Sequence, residues 1–486
     1  MKNSIVSGVL WTFSGTGIQV ILQFLVFIIL SRLLQPESFG VMSTALALIT
    51  VLSVFAKIGI GPSLVQKEKI NLEHIQTGFT LSIIFSFVIT VVVYNSSDTV
   101  ATFFNMAELS SVLKVLAYVH LIQGFSVVSE ALLQRNLEFK KLALVQIISY
   151  LVYGIVGVTL SVIGLEVWSL VYAYILNIAV KTLLVLLMNS HSKTISFNFT
   201  AAKELLIFGG GYSLSSIYNQ VALQGDTFVI GKFLGAVPLG IYSRAYQFYA
   251  MPVNLIGTVI EKVLFPSFSR LQSDKEILQE SYKNAISLVA IICIPLSLLL
   301  FILAEDIIVF LFGDKWLEAV VPFKILILAL LPRVSYKISD SLTKSLGKVF
   351  KSANRQLVYG VTMIVGVLIG QIYGLVGACI GVSVAIFINY LYMSQIALSL
   401  SQLKWKDFSK AHFSGIKLAI VSITPTFILY EVLQIIDFNS FFTISVTGIT
   451  YLIITSMILY RAPYSIFNDT NKIIIKIFNK IRSRKA

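Results

Sequence analysis

Fourteen stretches of the chain are apolar for long enough to cross a bilayer, and short polar links separate them. A spanning helix needs about 20 mostly apolar residues. The stretches fall at 9–34, 39–60, 76–95, 110–132, 141–163, 167–189, 205–231, 238–263, 284–304, 318–341, 355–373, 375–398, 413–434 and 439–460. The seventh, eighth and tenth are the least hydrophobic, which makes them the most informative about function. The first run follows Lys2 almost at once and continues to Leu34. It is too long for a secretory signal and lacks a small-residue cleavage site, so it reads as the first span. The links predicted on the outer side are short, the longest lying around Asn95–Glu108 and Glu305–Leu317. The pattern predicts an all-α polytopic membrane protein of about 14 transmembrane helices, with no extramembrane domain.

An even number of spans puts both termini on one side, and the basic residues choose which. With a cytoplasmic N-terminus, 30 of the 37 Lys and Arg fall at cytoplasmic links and helix ends, and seven fall elsewhere. Cytoplasmic loops are the ones enriched in Lys and Arg, so the split predicts that both termini are cytoplasmic. Composition agrees. Charged residues make up 12% of the chain and hydrophobic ones 57%, against roughly 25% charged in soluble domains. A soluble enzyme, a disordered chain and a coiled coil are excluded. The net charge of +14 reflects membrane orientation rather than nucleic acid. Cys293 and Cys379 sit in apolar runs, so no disulfide framework and no metal site is expected. No G-x-x-x-x-G-K-[ST], H-E-x-x-H or G-x-S-x-G occurs, which removes P-loop, zincin and nucleophile-elbow chemistry.

A repeat runs through the chain at an offset of 200 residues. Arg32-Leu33-Leu34 and Phe39-Gly40-Val41-Met42-Ser43 match Lys232-Phe233-Leu234 and Leu239-Gly240-Ile241-Tyr242-Ser243. The same offset pairs Thr16 with Ser216 and Gln19 with Asn219; Pro62-Ser63-Leu64 pairs with Pro266-Ser267-Phe268 after a short slip. Each copy joins the first two helices of a six-helix set. Six is even, so the two sets share one orientation and a pseudo-two-fold along the membrane normal relates them. The expected parts are a six-helix bundle over 1–200, a second over 201–402, two further helices over 403–462, and a basic amphipathic tail over 463–486. The tail suits the anionic inner leaflet.

Several polar groups lie where lipid would refuse them. In the seventh span, Ser215, Asn219 and Asp226 share one stripe; Ser216, Gln220, Gln224 and Thr227 share the next; and Gly209-Gly210-Gly211 stands near its start. Thr12, Thr16, Gln19 and Gln23 lie on one face of the first span. The eighth carries Arg244, Tyr246, Gln247, Tyr249 and Asn254, with a kink expected at Pro252; the tenth carries Arg333, Lys337, Asp340 and Lys344, interrupted by Pro332. One reading is helices glued by hydrogen bonds, with Arg244 paired to Asp226 and Asp340 to a neighbouring lysine. The other is a water-filled cavity lined by Gln19, Gln23, Asn219, Gln220, Gln224 and Gln247. Its basic members would be Arg244, Arg333, Lys181 and Lys324, opposed by Asp226 and Glu130, so the cavity leans cationic and favours an anionic cargo. Asp226 is the candidate for ion coupling. His120 reads as a packed, hydrogen-bonded residue or a proton relay; His74, His191 and His412 read as loop residues. The glycines at 366, 370, 374, 377 and 381 suit close helix packing. Trp11, Trp168, Trp316 and Trp405 read as interface anchors.

These residues also carry a resemblance. Leu133-Gln134-Arg135-Asn136-Leu137-Glu138-Phe139-Lys140-Lys141 and Gly164-Leu165-Glu166-Val167-Trp168-Ser169-Leu170 resemble the exporters of lipid-linked polysaccharide repeat units. So do Asp226 to Gly235, Leu239 to Tyr246, Leu264 to Arg270, and Phe312-Gly313-Asp314-Lys315-Trp316. The likeness is greatest to the colanic acid and teichuronic acid branch of the Wzx-type flippases. It extends to about residue 400. It implies the fold of the multidrug/oligosaccharidyl-lipid/polysaccharide (MOP) superfamily, with two six-helix bundles in a V and two trailing helices. It further implies an undecaprenyl-diphosphate-linked oligosaccharide as cargo, alternating access with membrane lipids around the polyprenyl tail, and no enzymatic activity. Asp226, Arg244 and Arg135 carry over by position. Implied partners are the glycosyltransferases, polymerase and chain-length regulator of the same pathway. No cofactor is implied beyond H+ or Na+ coupling. A cation-coupled multidrug exporter on the same fold is the first alternative; a membrane-embedded glycan polymerase or ligase is the second.

Overall fold

In a computed structural model that describes residues 2–189 and 192–461, each of the fourteen apolar stretches is helical over most of its length. No strand occurs among the described residues. His191 and the tail at 463–486 lie outside them, as do the side chains of Trp11, Thr12, Thr16 and Ser215. Two compact units divide the chain, Met1–Ser243 and Arg244–Ala486.

The first unit holds α1 (Lys2–Leu33), α2 (Pro36–Lys57), α3 (Ile60–Gln66), α4 (Leu72–Phe104), α5 (Ala107–Leu116), α6 (Tyr118–Gly124), α7 (Val127–Arg135), α8 (Phe139–Val162), α9 (Val167–Met188) and α10 (Phe199–Phe233). Helix α11 (Ala236–Leu271) begins in it and ends in the second unit. The second unit continues with α12 (Lys275–Ile302), α13 (Ala304–Phe312), α14 (Val320–Leu328), α15 (Leu330–Ser345), α16 (Val349–Gly370), α17 (Gly374–Ser401), α18 (Trp405–Ile435) and α19 (Ser440–Arg461). Within the first unit α8 packs on α1 and α9, and α10 on α2 and α4; within the second α12 packs on α18, and α17 on α15 and α16.

Local chemistry sets the helix starts. Pro36 opens α2, where its missing N–H costs nothing. Asn71, Asn198 and Asp274 accept the free backbone N–H groups of His74, Ala201 and Ile277 at 3.0–3.1 Å. Nine helices are long and apolar enough to cross a membrane among the described residues, and the bent run Ala107–Arg135 adds a tenth. The polar helix α10 and the divided pair α14–α15 are not among these ten. They are two of the three stretches whose sequence is poorest in apolar residues.

Two expected spans are broken, and both breaks are hydrogen-bonded. The stretch 110–132 forms α5, α6 and α7, with a 45° bend after Gly124. Hydrocarbon offers no donors to the carbonyls at such breaks. Helix α4 adds side-chain donors: Ser82 to the Gly124 carbonyl at 2.9 Å, and Thr90 at 3.1 Å to the Ala117 carbonyl, which also accepts the His120 amide. The stretch 318–341 is divided at Ala329, three residues before Pro332. Tyr249 on α11 reaches the Ala329 carbonyl at 3.5 Å. Pro252 stays inside a continuous α11.

The repeated glycines meet each other's helices. A methyl on Gly40 would stand 1.8 Å from the Ala236 carbonyl oxygen; one on Gly240 would stand 1.7 Å from the Pro36 carbonyl oxygen. Pro36 and Ala236 are themselves 200 apart, so the first turns of α2 and α11 exchange the same contact in both directions. Farther along, Gly209 of α10 lies against the Ile58–Gly59 turn, where Gly59 has φ +65°, and a methyl on Gly209 would come 2.4 Å from the Ile58 carbonyl. Gly366 and Gly370 of α16 press on the backbone at Gly381 and Gly377 of α17, the close packing their spacing suggests.

Two expectations are corrected. Trp316 is no interface anchor: it is fully buried, edge-on to Phe312. His74 and His412 belong to α4 and α18 rather than to loops, the latter with Nε2 2.8 Å from the Tyr390 hydroxyl.

Gly40→Ala and Gly240→Ala should each destabilise the purified protein by about 1–3 kcal/mol through overpacking. Gly210→Ala meets only open space within 4 Å and should leave the melting midpoint unchanged. Equal midpoints for all three would remove the close contact from the fold.

Candidate functional site

The singled-out polar residues settle in different surroundings. Gln19, Gln23, Gln220 and Gln224 are half-buried, whereas Asn219 and Gln247 are exposed. Asp226 is buried. It accepts from the Tyr242 hydroxyl at 2.5 Å and from the Thr227 amide at 2.7 Å, which ties α10 to the start of α11. Lys181 on α9 pairs with Glu130 on α7 at 3.0 Å, each side chain a little under a third exposed. That bond bridges the bent run to its neighbour. His120 is fully buried on α6, and neither ring nitrogen has a partner, so the hydrogen-bonded packing expected of it is absent. An apolar recess of about 270 Å³ is walled by Ile122, Phe125, Thr182 and Leu186. It holds none of the charged groups.

Arg135 is the plainest case of a motif residue with a structural task. From the last turn of α7 it donates to the carbonyls of Leu64, Val65, Lys67 and Glu68 at 2.8, 3.2, 2.5 and 2.8 Å. These are carbonyls at and just past the C-terminus of α3, which its own helix leaves unpaired. The cation also sits at the negative end of that helix. Nearby, Glu204 at the start of α10 bonds to His74 at 2.8 Å and Lys67 at 2.5 Å, which joins three elements. The His74 and Lys67 bonds hold the Glu204 carboxyl down at about 2.

In the second unit the basic groups are spread. Arg244 is half-buried near the start of α11. Lys324 on α14 lies over the Phe301 ring at 5.6 Å. Lys337 reaches Glu261 at 3.3 Å, and Lys344 takes Asp340 at 2.6 Å, as the spacing of the last two suggests. Arg333 is different. Its Nη1 donates to the Tyr359 hydroxyl at 2.6 Å, and its guanidinium lies 5.7 Å from the Tyr336 ring and 5.4 Å from the Tyr359 ring. Aromatic faces attract such a cation.

The sequence reading placed Arg355 at a cytoplasmic helix end; the structure buries it, 6% exposed. It approaches the same Tyr336 ring at 5.1 Å and donates to Asn389 and Gln356 at 3.3 and 2.9 Å. Two guanidinium groups thus share one tyrosine. Among the described residues neither makes an ion pair. The signal available in the sequence was spacing: Ser352, Arg355, Gln356 and Tyr359 fall on one helical face. Asn389, in an apolar run on α17, gave no comparable signal.

The many-helix architecture is that of MOP-superfamily transporters. A lipid II flippase MurJ in an inward closed conformation superposes with a TM-score of 0.74 over 93% of this chain and 99% of that one, at 16% identity. An inward-facing multidrug MATE transporter gives 0.63 over 79% and 96%, at 17% identity. These likenesses establish the fold. The chain belongs to the polysaccharide biosynthesis protein family, whose model matches residues 29–321. Its relatives include a teichuronic acid biosynthesis protein, TuaB, of Bacillus subtilis, 26% identical over 82% of this chain and 85% of that one. The lipopolysaccharide biosynthesis protein WzxC of Escherichia coli is 26% identical over 66% of each. A membrane protein encoded in the cps region of Klebsiella pneumoniae is 27% identical over 80% and 81%.

Arg135→Ala should cost about 1–2 kcal/mol, because it leaves four partly solvated carbonyls without a charged donor; Arg135→Lys should restore only part, since one ammonium cannot span four acceptors. Thermal unfolding of the purified variants measures both. Glu204 has a depressed folded-state pKa, so its contribution is complete above about 4.5, the ordinary carboxyl value, and is lost as pH falls through about 2. The midpoint difference between wild type and Glu204→Gln should vanish across that window and persist at pH 7, where salt should shrink it.

Proposed function

We propose that this chain is a flippase that carries an undecaprenyl-diphosphate-linked oligosaccharide from the cytoplasmic to the outer leaflet of a bacterial plasma membrane, for surface polysaccharide synthesis. Membership of the polysaccharide biosynthesis family over residues 29–321 carries the reading. The fold shared with a lipid II flippase supports it, and so does the half-buried Arg333 guanidinium, which tyrosines rather than a carboxylate hold. Guanidinium suits bidentate capture of phosphate oxygens.

In this account two six-helix repeats, 1–200 and 201–402, rock against one another around a central aqueous cavity with both termini in the cytoplasm. Arg244, Arg333, Lys181 and Lys324 guide the diphosphate; Gln19, Gln23, Asn219, Gln220, Gln224 and Gln247 hydrate the sugars; and the polyprenyl tail stays among membrane lipids. The Lys181–Glu130 pair opens to release the lysine at one stage. An H+ or Na+ gradient or the membrane potential, worth about 2.3 kcal/mol per charge per 100 mV, supplies the free energy. Asp226 is the coupling carboxylate. Protonation would weaken its bond from Tyr242 and loosen α10 from α11. Glycosyltransferases, a polymerase and a chain-length regulator would act before and after it. The multidrug-exporter reading rests on the MATE likeness alone.

A deletion strain should trap lipid-linked repeat units on the cytoplasmic leaflet and lose surface glycan, with unchanged tolerance to cationic dyes. Dye hypersensitivity with normal glycan would establish the exporter instead. Arg333→Ala and Arg244→Ala should lower complementation about tenfold or more, the effect of about 1.4 kcal/mol in a rate-limiting step, while membrane abundance stays near wild type. A fall in abundance for both would assign them to the scaffold.

A further inference from the structure

We infer that the recess between α6 and α9 seats one acyl chain of an anionic phospholipid of the inner leaflet, with the lipid phosphate at Lys193. The recess, about 270 Å³ in volume, is walled by Leu121, Ile122 and Phe125 of the bent run and by Ala179, Thr182 and Leu186 of α9. Thr182 is the polar side chain among these, and its hydroxyl is already engaged, 3.3 Å from both the Ile122 carbonyl and the Ser126 hydroxyl. The wall therefore has no side-chain hydrogen bond to give a sugar or a phosphate, and burying such a group unpaired is costly. Hydrocarbon is what it can receive. Leu183, a further wall residue, is exposed together with Leu176 and Leu187 on one face of α9. An exposed apolar face on a spanning helix meets lipid, so the recess opens sideways into the bilayer.

Depth and charge select the occupant. Ala179 stands nine residues before Met188, the last of α9, so the recess begins about 14 Å from the helix end at 1.5 Å per residue. That is the depth of one leaflet in a hydrocarbon core about 30 Å thick. The leaflet is the one at the C-terminal end of α9, on the side that the basic residues mark as cytoplasmic. There Lys193 donates to the Leu186 carbonyl at 3.1 Å. Leu186 thus walls the recess with its side chain and holds an ammonium with its backbone. Lys193 is exposed and makes no ion pair among the described residues. An ammonium carries three donors, so two remain for a phosphate. Lys141 adds a second ammonium, 3.3 Å from the Met188 carbonyl, although Glu138 partly neutralises it. Chain and charge are therefore arranged as in an anionic phospholipid, and basic groups between helices at the cytoplasmic boundary recognise such headgroups. The transported lipid is directed elsewhere. Lys181, placed above on the cargo path, falls by helical register on the side of α9 opposite Ala179 and Leu183, where it pairs with Glu130. This inference goes beyond the transport reading and does not rest on it.

The test uses the full chain carrying Leu187→Trp, on the exposed face beside the recess, reconstituted in phosphatidylcholine vesicles that contain increasing mole fractions of brominated-chain phosphatidylglycerol. Bromine quenches the fluorescence of a nearby tryptophan. The added tryptophan should show a component of quenching that saturates at low phosphatidylglycerol, whereas brominated phosphatidylcholine should quench only in proportion to its mole fraction. Lys193→Gln should raise the half-saturating fraction about fivefold, the attraction of one lysine to an anionic lipid. Ala179→Phe, which fills the recess, should remove the saturating component. The surface variant Lys193→Gln decides the matter even where Ala179→Phe does not fold. Quenching that never saturates, or a saturating component equally strong with phosphatidylcholine or unmoved by Lys193→Gln, would overturn the site. So would displacement of the brominated lipid by undecaprenyl diphosphate at lower concentration than by unbrominated phosphatidylglycerol, which would make the recess a groove for the cargo's tail.

Discussion

A guanidinium inside an apolar helix bundle has lost its water, and something must replace it. Three arginines of this protein, Arg135 half-buried at a helix end and the other two packed within the second unit, meet that demand in three ways. Arg135 spends its donors on four backbone carbonyls. Arg333 takes one tyrosine hydroxyl and two aromatic faces. Arg355 takes two amide oxygens and one aromatic face. Carboxylates are used elsewhere, at Lys181, Lys337 and Lys344. The distinction matters for function. A cation bonded to backbone is part of the scaffold, whereas one held by tyrosines keeps most of its charge available to an anion.

The same rule governs the backbone. Membrane-depth carbonyls need donors, so a helix can break there only where a neighbour provides them. Thr90 serves the junction of α5 with α6, Ser82 the bend between α6 and α7, and Tyr249 the break between α14 and α15. Breaks placed this way let a long apolar run change direction without exposing polar groups to lipid. They fall beside the charged clusters: Glu130 follows the first break and Arg333 the second. Irregular backbone and buried charge are thus neighbours in both units.

Glycine contacts supply the other half of the packing. Where α2 meets α11, backbone touches backbone because neither Gly40 nor Gly240 has a side chain. Such contacts gain little from hydrophobic area and much from close approach, and they can separate without unpicking an interdigitated core. This suits a protein whose proposed work requires its helices to part and meet again.

The helices, the polar seventh and tenth stretches and the 200-residue echo were all legible in the sequence, because hydrocarbon imposes a length and a polarity on each spanning segment independently of its neighbours. The ion pair between Asp340 and Lys344 was legible too, since one helical turn joins them. Arg355 was misjudged and Asn389 passed over, because whether a residue near a helix end meets water or a tyrosine depends on a second helix that the local pattern does not describe. Arg135 matched a family motif, yet only the position of α3 shows that its donors serve carbonyls. Sequence determined which segments become helices and which residue types they carry. Tertiary structure decided which charges are neutralised, because that is set by distances between segments far apart in the chain.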